Sequence, residues 1–208
     1  MGLYRERVLP RITDIACGSK DLDPLRRRVC QDLTGEVVEI GFGSGPNVRF
    51  YPASVTRVTA IEPARLGWEL ADERVKAATI PVQWSGPDGQ HLPLPDDSVD
   101  AALSTWSLCT IPDVAASLSE LRRVLKPSGS FHFLEHGLAP NEPVRRWQRR
   151  LEPVQKRLFG GCRLTRPIAD LVTDAGFTIT ELDTFYQPGA PKFGAALYLG
   201  AATPASTW

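Results

Sequence analysis

The chain has 208 residues, enough for one well-buried α/β domain and too few for two comfortable ones. Lys plus Arg and Asp plus Glu balance at 24 each, so no global field gathers phosphate backbones or an anionic bilayer, and nucleic acid is not an expected partner. No apolar run reaches the roughly 18 residues that suggest a membrane span, and Arg5, Glu6, Arg7 and Arg11 stand where a secretory core would lie.

In chain order, residues 3–17 alternate loosely between apolar and charged positions and predict a helix bent at Pro10. Leu22, Leu25, Val29 and Leu33 form one stripe of a second amphipathic helix, with Arg26, Arg27 and Arg28 read as its exposed face. The middle of the chain then alternates strand and helix. Strands are predicted at 37–40, 55–61, 80–84, 99–104 and 130–135, with helices at about 46–52, 64–76 and 113–125 between them. This succession predicts a mainly parallel sheet with helices on both faces and a ligand crevice at the strand C-termini. The tail differs. It reads as a helix over 145–159 broken near Pro153, a helix over 167–175 ended by Gly176, and two closing strands at 176–186 and 193–199.

The most informative stretch is Val37–Asn47, a buried strand with Glu39 near its end and glycines at 41, 43 and 45. Alternate glycines let the backbone turn sharply and approach a ligand closely. A dinucleotide site wants G-x-G-x-x-G, whereas Pro46 stands where the third glycine belongs, so a nicotinamide reading is disfavoured. The second strand closes on Glu62-Pro63, and an acid at that tip, roughly 20 residues past a glycine loop, is placed to accept from two ribose hydroxyls. After the third strand come Asp88 and Gly89, followed by Leu92-Pro93; taken alone, Asp-Gly is a turn.

Glu39-x-Gly41-x-Gly43-x-Gly45, Glu62, Asp88-Gly89 and Leu121-Arg-Arg-Val-Leu-Lys-Pro-Ser-Gly129 together resemble the motif series of class I S-adenosylmethionine-dependent methyltransferases. The resemblance implies a Rossmann-like fold, a seven-stranded mainly parallel sheet with an antiparallel last strand, and S-adenosyl-L-methionine as cofactor, leaving S-adenosyl-L-homocysteine as product. It implies cofactor contacts at Glu39, Gly41, Phe42, Gly43, Gly45, Asn47, Glu62, Pro63, Asp88, Gly89, Ser104 and Thr105. In the last of the four motifs, Pro127 and Gly129 stop a helix and turn the chain into a strand, which supports the fold rather than the chemistry.

A finer likeness runs through Phe133-Leu-Glu135-His136, Trp147 and Leu158-Phe-Gly-Gly-Cys162-Arg-Leu-Thr165-Arg166, which resembles the branch holding the animal thiol S-methyltransferases and bacterial homologues. It implies a small, fairly apolar acceptor, thiol first, with a carbon, nitrogen or oxygen nucleophile behind it. Animal members usually add a hydrophobic N-terminal anchor that this sequence lacks, and a cytoplasmic protein is expected. His136, at the end of the fifth strand, is the candidate base or orienter, the alternative being a histidine simply hydrogen-bonded at the strand end. Tyr4, Trp106, Cys162 and Tyr186 are candidate walls of the acceptor pocket, each with plain packing as its alternative.

The expected organisation is a single methyltransferase domain, with cap helices over 1–34, a cofactor-binding core over 35–136, and acceptor-side helices and closing strands over 137–208. Cys17, Cys30, Cys109 and Cys162 are widely scattered without a C-x-x-C, and with only three histidines they read as free thiols and no metal site. A binding module that keeps the cofactor pocket but acts through a partner is the alternative function.

Overall fold

The computed structural model describes residues 4–205; residue 3, the expected start of the first helix, lies outside that range. Seven strands form one sheet: β1 (Gly35–Ile40), β2 (Val55–Ile61), β3 (Val82–Gly86), β4 (Val99–Thr105), β5 (Leu125–His136), β6 (Phe177–Tyr186) and β7 (Ala196–Pro204). Their order is β3-β2-β1-β4-β5-β7-β6. The first five pair in parallel, while β7 is antiparallel to both β5 and β6. The reversal between β1 and β4 sets the crevice at the strand C-termini, because connections leave there toward opposite faces.

Side-chain alternation along the buried strands explains the two cores. Val38, Ile40, Ala102, Phe131 and Phe133 project to one face, where α4 (Val114–Val124) and α6 (Ile168–Asp174) cover them with Leu118, Leu121, Ile168 and Val172. Val37, Ala101, Leu103, Leu134 and Leu199 project to the other, under Val29, Cys30 and Leu33 from α2 (Asp23–Cys30) and its C-terminal extension, and Ala71 of α3 (Arg65–Lys76). Both faces of the central strands are therefore dry, as parallel sheets require.

Three expectations are corrected. The helix expected at about 46–52 is only a 3₁₀ turn, Val48–Phe50, because Pro46 and Pro52 bracket it and Tyr51 is already extended at ψ 126°. The fifth strand begins at Leu125 rather than residue 130: Leu125 pairs with Val99 and Ser130 with Ala101, so Lys126–Gly129 bulge out of a continuous strand. Pro153 does not break the helix; α5 runs from Glu142 to Leu158 through it. Its cost is tolerated on a helix whose outer side faces solvent, with Trp147, Val154 and Leu158 at least half exposed.

The leading segment is a π-helical turn, Tyr4–Val8, followed by α1 (Leu9–Cys17) with Pro10 in its first turn. Asp14 on α1 accepts from Ser44 Oγ and from Arg74 Nη1 at 2.9 Å, which fastens α1 across the glycine loop to α3.

Candidate active site

The loop after β1 turns because Gly41, Gly43 and Gly45 all adopt positive φ. Gly41 is required by crowding as well: an added Cβ would lie 1.9 Å from Ser107 Oγ. Gly43 differs. At φ +57°, a Cβ there would meet nothing nearer than Gly41 O at 3.9 Å, so the loop presents bare backbone to open space. Phe42 points the other way, buried against Trp68 with ring centroids 5.6 Å apart, and its N–H goes to Ile61 O at 3.1 Å. Its side chain belongs to the core, which leaves only its backbone for the cofactor contact expected there.

Glu62, at the tip of β2, reaches across to this loop. Its Oε2 accepts from Gly43 N at 2.7 Å and its Oε1 from Ala64 N at 2.8 Å, the latter capping the start of α3. Burial pushes its carboxyl up, and the two N–H groups oppose that shift. Pro63 stands exposed beside it.

Beneath the loop lies a buried polar network. Glu39 Oε1 accepts from Asn47 Nδ2 at 2.8 Å, and Glu39 Oε2 accepts from Tyr51 Oη. Asn47 Nδ2 also reaches Thr105 Oγ1 at 3.0 Å, while Asn47 Oδ1 accepts from Arg26 Nη1 at 2.6 Å. Arg26 Nη2 donates to Cys17 O at 2.7 Å, its Nε has no partner among the described residues, and its guanidinium lies over the Trp106 ring at 4.8 Å. Burial moves Glu39 up to about 7, against the pull of Tyr51, Asn47 and Arg26.

Asp88, past β3, is half exposed. Its Oδ1 accepts from Gln90 N at 2.8 Å and its Oδ2 pairs with His91 Nδ1 at 3.0 Å. The His91 contact first, then the Gln90 N–H, hold its carboxyl below the usual range. Gly89 backs onto the end of β1, where an added Cβ would sit 3.2 Å from Ser117 Oγ and 3.8 Å from Ile40.

The tips of β4 and β5 build the other end. Ser104 Oγ donates to the buried Glu135 at 2.7 Å, and the same carboxylate receives Ser107 N at 3.0 Å and Cys109 N at 3.4 Å. Ser107 Oγ in turn donates to Gly41 O at 3.3 Å, joining this end to the glycine loop. Trp106 takes φ +51°, an uncommon conformation for a bulky residue, and its ring meets the His136 ring edge-on at 6.3 Å.

His136 stands with Cys109 and Cys162, and their ligand atoms all lie within 4.8 Å of one another. Arg163 N donates to Cys109 O at 2.9 Å, which ties the loop carrying Cys162 to the one carrying Cys109. Cys109 holds one thiol proton with two acceptors near it, the Trp106 carbonyl at 3.6 Å and the Cys162 sulfur. The neighbouring Cys109 thiol, assisted by His136, lowers the Cys162 thiol, while Cys162 and burial raise Cys109. Tyr4 and Tyr186 are further out: Tyr4 Oη donates to Leu158 O at 2.6 Å and Tyr186 Oη to Asn141 Oδ1 at 2.8 Å, both in exposed contacts.

Two readings of the sequence change here. Arg26 is not on an exposed face; it is 1% accessible. The signal is present, since position 26 falls four after Leu22 and three before Val29, on the apolar stripe itself. The cysteines are not all scattered either, because two of them meet a histidine. Tyr51, Ser107 and Cys109 also join the site, and nothing in their local pattern marks them.

The arrangement fits a nucleoside with a charged amino-acid tail: bare backbone at Gly43, a two-oxygen acceptor at Glu62, and a second carboxylate at Asp88 over the neighbouring strand end. Residues 38–133 match the methyltransferase domain family. Human thiol S-methyltransferase TMT1A is 34% identical over 158 residues, covering 73% of this chain and 64% of that protein. Rat thiol S-methyltransferase TMT1B is 32% identical over 157 residues, covering 73% and 63%. An S-adenosylmethionine-dependent methyltransferase of Mesorhizobium loti superposes with a TM-score of 0.65 at 18% identity, over 89% of this chain and 98% of that one.

Residues 38–133 form a methyltransferase domain on the Rossmann-like fold of the class I S-adenosylmethionine-dependent methyltransferases, and S-adenosylmethionine is the cofactor that the site fits. Within that class it is similar to the thiol S-methyltransferases, though it spans less than two thirds of the length of those two relatives. Among the described residues, no helix is long and apolar enough to cross a membrane.

Proposed function

We propose that the chain methylates the sulfur of a small, fairly apolar thiol in the cytosol. S-adenosylmethionine, when bound, supplies a methyl on a positive sulfur, so that the acceptor's sulfur lone pair forms the new S–C bond as the old C–S bond breaks. The residues of this chain bind, orient and exclude water.

Gly43 would leave room for the amino-acid end of the cofactor, Glu62 would accept from its ribose hydroxyls, and Asp88, Gly89 and Pro63 would hold its base. The buried network of Glu39, Asn47, Thr105 and Arg26 fixes the floor on which these groups stand. At the acceptor end Trp106, Cys109 and Cys162 form a wall, and His136 orients the thiol or takes its proton. A free thiol has an unperturbed pKa of about 8.5, so a group that removes or shares its proton raises the reactive fraction at neutral pH. Four free cysteines support a reducing surrounding.

The observation that carries this reading is the closure of Glu62 onto Gly43, two motif positions 19 residues apart, at 2.7 Å. Calorimetry with S-adenosylhomocysteine tests the cofactor half, and alkyl and aryl thiols with mass detection of the S-methyl product test the acceptor half. Absence of any S-methyl product, with methylation of a phenol, amine or enol instead, would move the acceptor class.

A second reading is favoured by the outer side of α5, where Trp147, Val154, Leu158 and Phe159 are exposed. Such a patch suits a module that binds the cofactor and works through a partner. Turnover on any extract fraction removes that reading.

A further inference from the structure

We propose that Cys109, Cys162 and His136 form a three-donor site for a soft divalent cation, Zn²⁺ the natural candidate, with its fourth position open to the acceptor's sulfur. The open fourth position rests on the thiol reading above; the ion site does not.

The three donors come from separate elements: the loop after β4, the last residue of β5 and the loop after α5. Their ligand atoms are mutually within 4.8 Å. A tetrahedral ion with Zn–S near 2.3 Å and Zn–N near 2.0–2.1 Å holds its donors roughly 3.5–3.8 Å apart, which small side-chain rotations reach from here. The surroundings favour a cation over none. Both cysteines are buried, with Leu164 in the same cluster and Leu151 and Phe193 packed against it. Two thiolates and a neutral imidazole around a dication sum to zero charge, so the dry wall imposes no penalty on the loaded site. The ligands are also held: Cys109 N donates to Glu135, and Arg163 N donates to Cys109 O between the two cysteine loops.

Three protein ligands and an exchangeable fourth position are the pattern of a working zinc rather than a structural one. On binding, the acceptor's S–H bond breaks, its proton passes to solvent, and the sulfur is held on the ion as a thiolate. His136 then serves through its bond to the cation. No electrons change hands.

The test uses the reduced full-length chain, freed of small thiols, titrated with Co²⁺ while the near-ultraviolet thiolate-to-cobalt absorption is read. The expected result is one Co²⁺ per chain, displaced by Zn²⁺, and a further rise in absorption when a small alkyl thiol is added. Cys109→Ser and Cys162→Ser should each roughly halve the band and weaken binding by at least about ten-fold. Cys17→Ser should leave it unchanged, and His136→Gln should weaken binding while keeping both sulfur contributions. Thermal melts without metal show that each variant folds. No band, or a band indifferent to Cys109→Ser and Cys162→Ser, overturns the site. Thiol methylation undiminished in chelator-treated protein overturns the open-position role while leaving the proposed function intact. A full cobalt response with no thiol methylated keeps the ion site and removes the thiol acceptor.

Discussion

The two ends of the crevice are built on different plans. On the proposed function, the cofactor end draws on three short stretches, Glu39–Asn47, Glu62–Pro63 and Asp88–Gly89, the first two set side by side because β1 and β2 pair from Glu36 and Arg57 to Ile40 and Ile61. At the proposed acceptor end the working groups come from Trp106–Cys109, His136 and Cys162, which α4, β5 and α5 separate in sequence. The first plan makes the geometry a consequence of local chain turns and one strand pairing. The second makes it a consequence of how whole elements dock, so that each contact depends on distant packing.

Substitutions sharpen this contrast. The largest effect is expected for Gly43→Val, which forces a β-branched residue into φ +57° and fills the space the loop leaves open; S-adenosylhomocysteine binding should vanish in calorimetry even at millimolar ligand. Retained affinity would break the claim that the cofactor end is a backbone site.

Next is stability against pH. Glu39 in the folded chain holds its proton up to about 7, above its unfolded value of 4.5, so the folded state binds more protons between those values. Stability should therefore fall as pH rises from about 4.5 to about 7 and level off beyond, by about 3 kcal/mol for this group alone. Urea midpoints across that range should decline in the native chain and decline less steeply in Glu39→Gln. A slope unchanged in the variant would assign the drift to other buried acids.

His136→Ala should spare S-adenosylhomocysteine affinity and lower turnover by about 10²-fold, as loss of a proton-handling or orienting group does. Equal turnover would return His136 to a packing role. The smallest effect is expected for Glu62→Ala, about 1–2 kcal/mol in cofactor affinity, because losing the ribose partner is partly offset by freeing Gly43 N for the ligand.

The same contrast governs what the sequence can reveal. The alternation of strands, the glycine turn and the acid after β2 are legible because period and punctuation are local properties, and the reversed β7 follows from the resemblance. Arg26 is misplaced when charge is weighed above helical phase, although its position puts it on the buried stripe. Tyr51 escapes notice when the segment between Pro46 and Pro52 is read as a helix; as a short turn it aims that phenol at Glu39. Cys109 meeting Cys162 depends on the docking of two loops through Arg163 N and Cys109 O, and no spacing rule encodes that pairing.

Trp106 stands between the two plans. Its indole is stacked by the Arg26 guanidinium and meets the His136 imidazole edge-on, on a backbone that an unsupported tryptophan would not keep. On the proposed function, whatever tightens the nucleoside floor also turns the wall that receives the acceptor, and selectivity becomes sensitive to Arg26, which stands behind that wall.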